Sequence, residues 1–389
     1  KFRWCTERLK IHPANRFIRN IVREHGDTIL VLGTRKAEST KRAATMAKHA
    51  RKRLRDRLSP NASLPNSLIY SPIEDWSNDQ VWLYLMQWAN PWGHPNQELF
   101  QIYRGATADN ECPLVVDTST PSCGSSRFGC WVCTLVDRDK SMEAMILNDD
   151  SKNWLQPLLD FRDELDFRSD EKRDRERANR DFRRISGRVH LFERTNRDTN
   201  TQEVANVPGP YLKPHREYLL RRLLETQQAV RHQAPPDLQD IQLIIPAELS
   251  EIRRIWLEDK NEFDDALPRI YTEATGEPFH DPRPNAGNSY LGPEEWEILQ
   301  ATCGDDPMKF ELIAKLLDTE RQFQTMTRRI GIIDALDACF RSSARPQEEA
   351  IANAKAEHQL KRAVADLHQT DDLEPVKQTL TDWAALKFG

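Results

Sequence analysis

The chain has 389 residues, of which 30% are charged and 38% hydrophobic, and its formal net charge is −5. That length is too great for one compact core and predicts about two domains. The balance excludes a chain-wide basic footprint for nucleic acid, and no apolar run nears the roughly 18 residues needed to cross a membrane, so a cytoplasmic protein with no membrane partner is expected.

The first residue is Lys1, and the opening KFRWCTERLK lacks the apolar core of a secretory signal. The chain therefore reads as a fragment or a processed product. DTILVLG (Asp27–Gly33) is a short β-rich apolar run and predicts a buried strand. A stretch with no Gly or Pro follows from Glu38 to Leu58 and predicts a long helix. SLIYSPI (Ser67–Ile73) predicts a second strand. Ser77 is a natural N-cap for NDQVWLYLMQWA, in which Val81, Leu85 and Trp88 share a face. NPWGHPN ends that helix, and the chain is expected to be mostly loop from there to Asp137.

Acidic and basic residues alternate from Leu158 to Arg188, which predicts a solvated helix or a flexible excursion. From Val204 onward the apolar spacing is helical. Three prolines and a glycine make Asn206–Pro214 the expected linker. The expected organisation is an α/β domain at 1–150, a charged connection at 151–205 and an α-helical domain at 206–389.

Seven cysteines are present: Cys5, Cys112, Cys123, Cys130, Cys133, Cys303 and Cys339. An odd number, unevenly spaced in a chain with no signal sequence, argues against disulfides. Cys123, Cys130 and Cys133 lie in CGSSRFGCWVC as C-x6-C-x2-C. Two thiolates from one tight turn can grip the same metal, and Gly129 relaxes the backbone just before them. A fourth ligand must come from elsewhere: Cys5 leads, and Cys112 follows. Spacing alone leaves zinc and an iron–sulfur cluster both open. Cys339 shares a helix face with Ile332, Leu336 and Phe340 and is expected in a core, and Cys303 is expected to be structural.

A second candidate site lies at Gly33-Thr34-Arg35, where the first strand gives way to a helix. A helix N-terminus offers free N–H groups and a positive dipole end, and Arg35 adds a planar fork for phosphate oxygens. Ten Lys and Arg lie between Arg35 and Arg57, against Glu38 and Asp56 only. That run fits either a solvated face or a nucleic-acid backbone contact.

Four segments together resemble the adenosine-phosphosulfate reductase branch of the ATP-pyrophosphatase (PP-loop) proteins. WCTERLKIHP resembles its cysteine motif and following basic residue, here Lys10. GTRKAESTKR resembles its G-x-R-x-x-E-S-x-x-R segment. SPIEDWSNDQVWLYL resembles its tryptophan motif, here Trp76, Val81 and Trp82, and the cysteine loop resembles its cluster-binding pair. The run TPSCGSSRFGCWVCTLVDRDKSM, with the helical second half, is similar to the DndC-type members that act in DNA phosphorothioate modification. The resemblance is best from Lys1 to about Asn148.

That resemblance implies a PP-loop core, N-terminally incomplete, before a helical C-terminal domain. It implies a 4Fe-4S cluster on Cys5, Cys123, Cys130 and Cys133. It places Gly33, Arg35, Glu38, Ser39 and Arg42 at a site for ATP with Mg, Lys10 near the cluster, and Lys10 and Arg35 in catalysis. ATP would be cleaved to AMP and pyrophosphate. Sulfur from a cysteine desulfurase would replace an activated non-bridging oxygen of DNA, alongside other phosphorothioation proteins.

Three departures bear on this. The S-G-G-x-D-S loop that grips pyrophosphate is missing from these residues and is expected upstream. Cys5 is followed by Thr6 where the reductases carry a second cysteine. The ending TDWAALKFG holds no nucleophilic cysteine, which argues against sulfonucleotide reduction. The readings carried forward are therefore DNA phosphorothioation, sulfonucleotide reduction, a zinc-stapled binding module and tRNA thiolation.

Overall fold

A computed structural model describes residues 5–106, 131–134, 138–167, 169–185, 187–195, 201–282, 292–304, 306–324, 326–343, 346–370, 374, 377–381 and 384. The chain folds as two compact units, Lys1–Leu165 and Asp166–Gly389. The architecture is mixed α/β with mostly helix and few strands. No described helix is long and apolar enough to cross a membrane.

In the first unit a π-helical turn, Thr6–Ile11, runs into α1 (His12–His25). Pro13 suits the first turn of α1, where its missing N–H has no partner to lose, and Gly26 ends the helix at φ +81°. β1 (Thr28–Val31) follows, then α2 (Thr40–Ala50), β2 (Leu58–Pro60) and β3 (Ser67–Tyr70). β3 is central: it pairs parallel with β1, Thr28 opposite Ser67 and Val31 opposite Tyr70, and antiparallel with β2. The outer edge of β1 pairs with no described strand, and its Ile29 and Val31 are 60% and 61% exposed.

α3 (Asn78–Gln87) starts at Ser77, whose Oγ accepts the Gln80 backbone N–H while the Gln80 side chain accepts the Ser77 N–H. This reciprocal cap is legible in the sequence. α4 (Asn96–Gly105), α5 (Lys140–Asn148) and α6 (Gln156–Glu164) complete the unit. Trp82 of α3 meets Phe100 and Tyr103 of α4 edge-on, each at 5.3 Å between ring centres.

The second unit holds α7 (Asp170–Ala178), the hairpin of β4 (Leu191–Thr195) and β5 (Gln202–Asn206), then α8 (Lys213–Gln233), α9 (Pro246–Arg254), α10 (Ala266–Thr275), α11 (Pro293–Cys303), α12 (Pro307–Gln324), α13 (Ile332–Ser343) and α14 (Gln347–Thr370). Its core gathers Leu220, Leu224, Ile244, Leu249, Trp256, Ala266, Leu267 and Ile270. Leu224 and Ile270 are fully buried. Asn206–Pro214 lies inside this unit and is tightly held. Gly209 N–H donates to the Asp181 carbonyl at 2.7 Å, and Asp181 N–H donates to the Pro210 carbonyl at 2.9 Å. Any Cβ on Gly209 would overlap the carbonyl oxygen of Arg183.

Three expectations change. The helix predicted over Glu38–Leu58 spans only Thr40–Ala50. Arg53 pairs with Glu74, Arg57 donates to the Pro72 carbonyl, and Arg57 takes φ +58°, so tertiary ties end the helix where no Gly or Pro does. The stretch expected as loop to Asp137 contains α4, because Asn96 donates to the carbonyls of Leu85 and Trp88 and anchors a second helix start. The alternating-charge run begins with α6, which is not solvated: Leu158, Phe161 and Arg162 are buried there.

Candidate functional site

β1 and β3 end side by side. Thr34 and Ser71, just past their carboxyl ends, approach at 3.3 Å between hydroxyl oxygens. Ligands of open α/β sheets bind outside the carboxyl ends of parallel strands. Here that edge opens into a crevice of about 240 Å³, lined among others by Thr34, Arg42, His49, Arg53, Arg57, Ser71 and Glu74.

The segment predicted to carry phosphate chemistry forms one rim. Gly33 lies in the turn leaving β1. Arg35 is extended, with its N–H donating to Glu38 Oε1 at 3.0 Å. Glu38 also pairs with Arg42. Ser39 caps α2, its Oγ accepting the Arg42 N–H at 3.2 Å, so this hydroxyl is already used. The structure thus brings Gly33, Arg35, Glu38, Ser39 and Arg42 into one turn and helix entry. Lys10 is exposed on the π-helical turn.

Three residues of the crevice escaped sequence reasoning. Glu74 is 3% exposed and is held by Arg53 and by Lys36 Nζ at 3.5 Å. Lys36 N–H also donates to the Glu74 carbonyl at 2.8 Å, which fixes the rim to the segment after β3. Lys36 Nζ bonds Asp75 at 2.6 Å; this raises the lysine above its ordinary value and lowers the aspartate. Arg53 and Arg57 look like a solvated basic face in the sequence, whereas both fold back to the crevice. The signal for them was Glu74-Asp75, two carboxylates ending the strand segment opposite a basic run.

Two cationic nitrogens are left over. Arg35 Nη1 and Arg53 Nε are buried with no hydrogen-bond partner. An orphaned buried donor costs roughly 1–3 kcal/mol, and burial lowers Arg35 below the usual guanidinium value. Arg42, Arg53 and Arg57 line the crevice itself, so its donor set fits an anion such as a nucleotide phosphate.

The cysteine loop is described in part. Cys123 and Cys130 lie outside the described residues, as does Cys112. Cys5 is an exposed free thiol at the start of the first described helical turn, and Cys133 is a half-buried free thiol. Thiols of this kind fit zinc and iron–sulfur centres alike. The Cys133 turn rests on α6: the Trp131 and Phe161 rings are 6.0 Å apart, and the Arg162 Nε and Nη2 donate to the Cys133 carbonyl at 3.4 and 3.3 Å. Cys303 and Cys339 are buried, as expected of core thiols, and Cys339 Sγ lies 3.2 Å from the Thr319 hydroxyl.

The phosphoadenosine phosphosulfate reductase domain family matches residues 1–135, a span that contains the crevice rim, the aromatic helix α3 and all five cysteines of the first unit. This part of the chain is a domain similar to those reductases, consistent with the PP-loop branch and with nucleotide-dependent sulfur chemistry. No curated protein and no solved structure matches the chain.

Proposed function

We propose that this chain is the iron–sulfur component of DNA phosphorothioate modification, a DndC-type protein that activates a DNA backbone phosphate with ATP for sulfur incorporation. The observation that carries the reading is a pairing within one reductase-like unit. A strand-end crevice is lined by Arg42, Arg53 and Arg57, and the same unit carries free thiols at Cys5 and at Cys133, the last cysteine of C-x6-C-x2-C.

In this reading Arg35 and Arg42 bind phosphate oxygens, and Gly33 lets the backbone come close. Glu38 orients both arginines, and Ser39 fixes the helix entry. Arg53 and Arg57 extend the cationic rim. Cys5, Cys123, Cys130 and Cys133 hold the 4Fe-4S cluster, with Lys10 beside it. The cluster would supply a site-organising or sulfur-delivering centre. ATP cleavage to AMP and pyrophosphate is the activating step of this reading, and no S-G-G-x-D-S loop for gripping pyrophosphate occurs in these residues. DNA, a cysteine desulfurase and other phosphorothioation proteins are its partners. The sulfonucleotide reductase alternative needs a nucleophilic thiol, and the two described cysteines of the second unit are both buried.

The test is iron, sulfide and zinc per chain after anaerobic purification, with alanine variants of Cys5, Cys112, Cys123, Cys130 and Cys133. The expected result is about four iron and four sulfide, lost in every variant except Cys112→Ala. Cells carrying those variants of the full-length protein are expected to lose phosphorothioate from their DNA. Zinc near one per chain without iron would instead favour a stapled binding module.

A further inference from the structure

The first 58 residues hold 17 Lys and Arg against five Asp and Glu, in a chain whose net charge is −5. Some of these cations are used internally: Lys36, Arg53 and Arg57 tie the crevice rim to the segment 72–75. Others are not. Lys41, Lys48, Arg51, Lys52 and Arg55 are exposed, and no described carboxylate pairs with any of them. Arginines of the second unit are instead matched along their own helices, as in Arg222 with Glu225, Arg254 with Glu258 and Arg269 with Glu273.

Helix energetics do not explain the unpaired set. Cations suit the last turn of a helix, but Lys41 lies in the first turn of α2, where the dipole opposes it and no acidic residue offsets it. Lys48, Arg51 and Lys52 crowd like charge at the far end, which is also unfavourable. Their position is more telling. α2 turns Arg42, Thr45, Met46 and His49 to the crevice. At about 3.6 residues per turn, Lys41, Lys48 and, just past the helix, Lys52 fall along the flank beside that face. Lys41 and Lys48 are roughly 10 Å apart along the axis, about three phosphates of one DNA strand. No large apolar side chain of α2 is exposed, so the helix lacks the apolar anchor of a membrane-surface helix.

We propose that this flank of α2, with the turn after it, is a docking surface for the sugar–phosphate backbone of duplex DNA. Lys41, Lys48, Arg51 and Lys52 contact phosphates and lead the strand toward the crevice. The choice of DNA rests on the reading above. Contacts to phosphate carry no sequence information, so this binding is sequence-independent and strongly salt-dependent.

The experiment uses the full chain and a labelled random-sequence DNA duplex, with affinity read by fluorescence anisotropy over a salt series. Wild type is compared with a triple variant, Lys41→Gln, Lys48→Gln and Lys52→Gln, and with arginine at the same three positions. A control, Arg16→Gln, Arg19→Gln and Arg23→Gln, removes the same charge from α1, where all three arginines are exposed. Circular dichroism confirms that each variant folds. The α2 glutamine variant is expected to lose about one unit of salt slope per contact, roughly three in all. The arginine variant is expected to keep the wild-type slope, and the α1 variant to keep most of it. Wild type that does not bind, an α2 glutamine variant with the wild-type slope, or an α1 variant that loses as much, overturns the proposal. Tighter binding of an RNA duplex of equal length overturns the assignment to DNA. A chain without iron or sulfide that binds DNA through α2 overturns the cluster reading and leaves this surface standing.

Discussion

The two units spend their apolar residues differently. The second unit packs Leu224 and Ile270 to zero exposure in a contiguous core of eight buried residues. The first leaves Ile29 and Val31 of β1, Phe17 of α1 and Trp88 after α3 more than half exposed. Yet the first carries the crevice, the orphaned guanidinium nitrogens and the thiols. The eight-residue core and the candidate site thus lie in different units; the first unit has buried residues of its own, such as Trp82, Leu158 and Phe161, while its crevice rim is held by charge pairing. The rim is tied through Lys36, Arg53 and Arg57 to the segment 72–75.

Mutations can break or sharpen that contrast. Leu224→Ala is expected to cost about 2–5 kcal/mol in chemical denaturation, because the site is fully enclosed. Arg35→Ala should leave stability almost unchanged. It should weaken nucleotide binding roughly ten- to hundredfold, the worth of a charge-assisted hydrogen bond of about 1.5–3 kcal/mol, as read by calorimetric titration of the full-length protein. Ser77→Ala removes one half of the α3 cap and is expected to cost about 1 kcal/mol, seen as a lowered melting temperature. Val31→Ala, on the exposed face of β1, is expected to stay within about 0.5 kcal/mol of wild type. A cost there comparable to Leu224→Ala would show that this strand is covered in solution, and the contrast between the units would fail.

Much of this is legible in the residues. The existence of a strand before Gly33, the turn at Arg35, the cap at Ser77 and the core thiol Cys339 follow from local pattern, where one short segment holds all the information; the burial expected of that strand does not hold, since Ile29 and Val31 are mostly exposed. The illegible parts depend on distant partners. Nothing near Arg51 stops a helix; the stop comes from Glu74 and Pro72, some twenty residues on. Arg162 looks like one more solvated charge because its neighbours Asp163 and Glu164 are charged, and its partner Cys133 is 29 residues away. Asn96 starts α4 in a Pro- and Gly-rich stretch through two carbonyls of the preceding helix and its exit. For the candidate site, the rim is readable and its opposing wall is not.

Gly209 sets a limit of another kind. Its backbone is pressed so close to the carbonyl oxygens of Arg183 and Asp181 that the space belonging to a side chain is already filled by main chain, which cannot swing aside. Every amino acid that a single-base change can put in place of a glycine bears a Cβ. Position 209 is therefore closed to stepwise drift. In a saturation library selected for folded protein it should return glycine alone, even though it lies outside the candidate site.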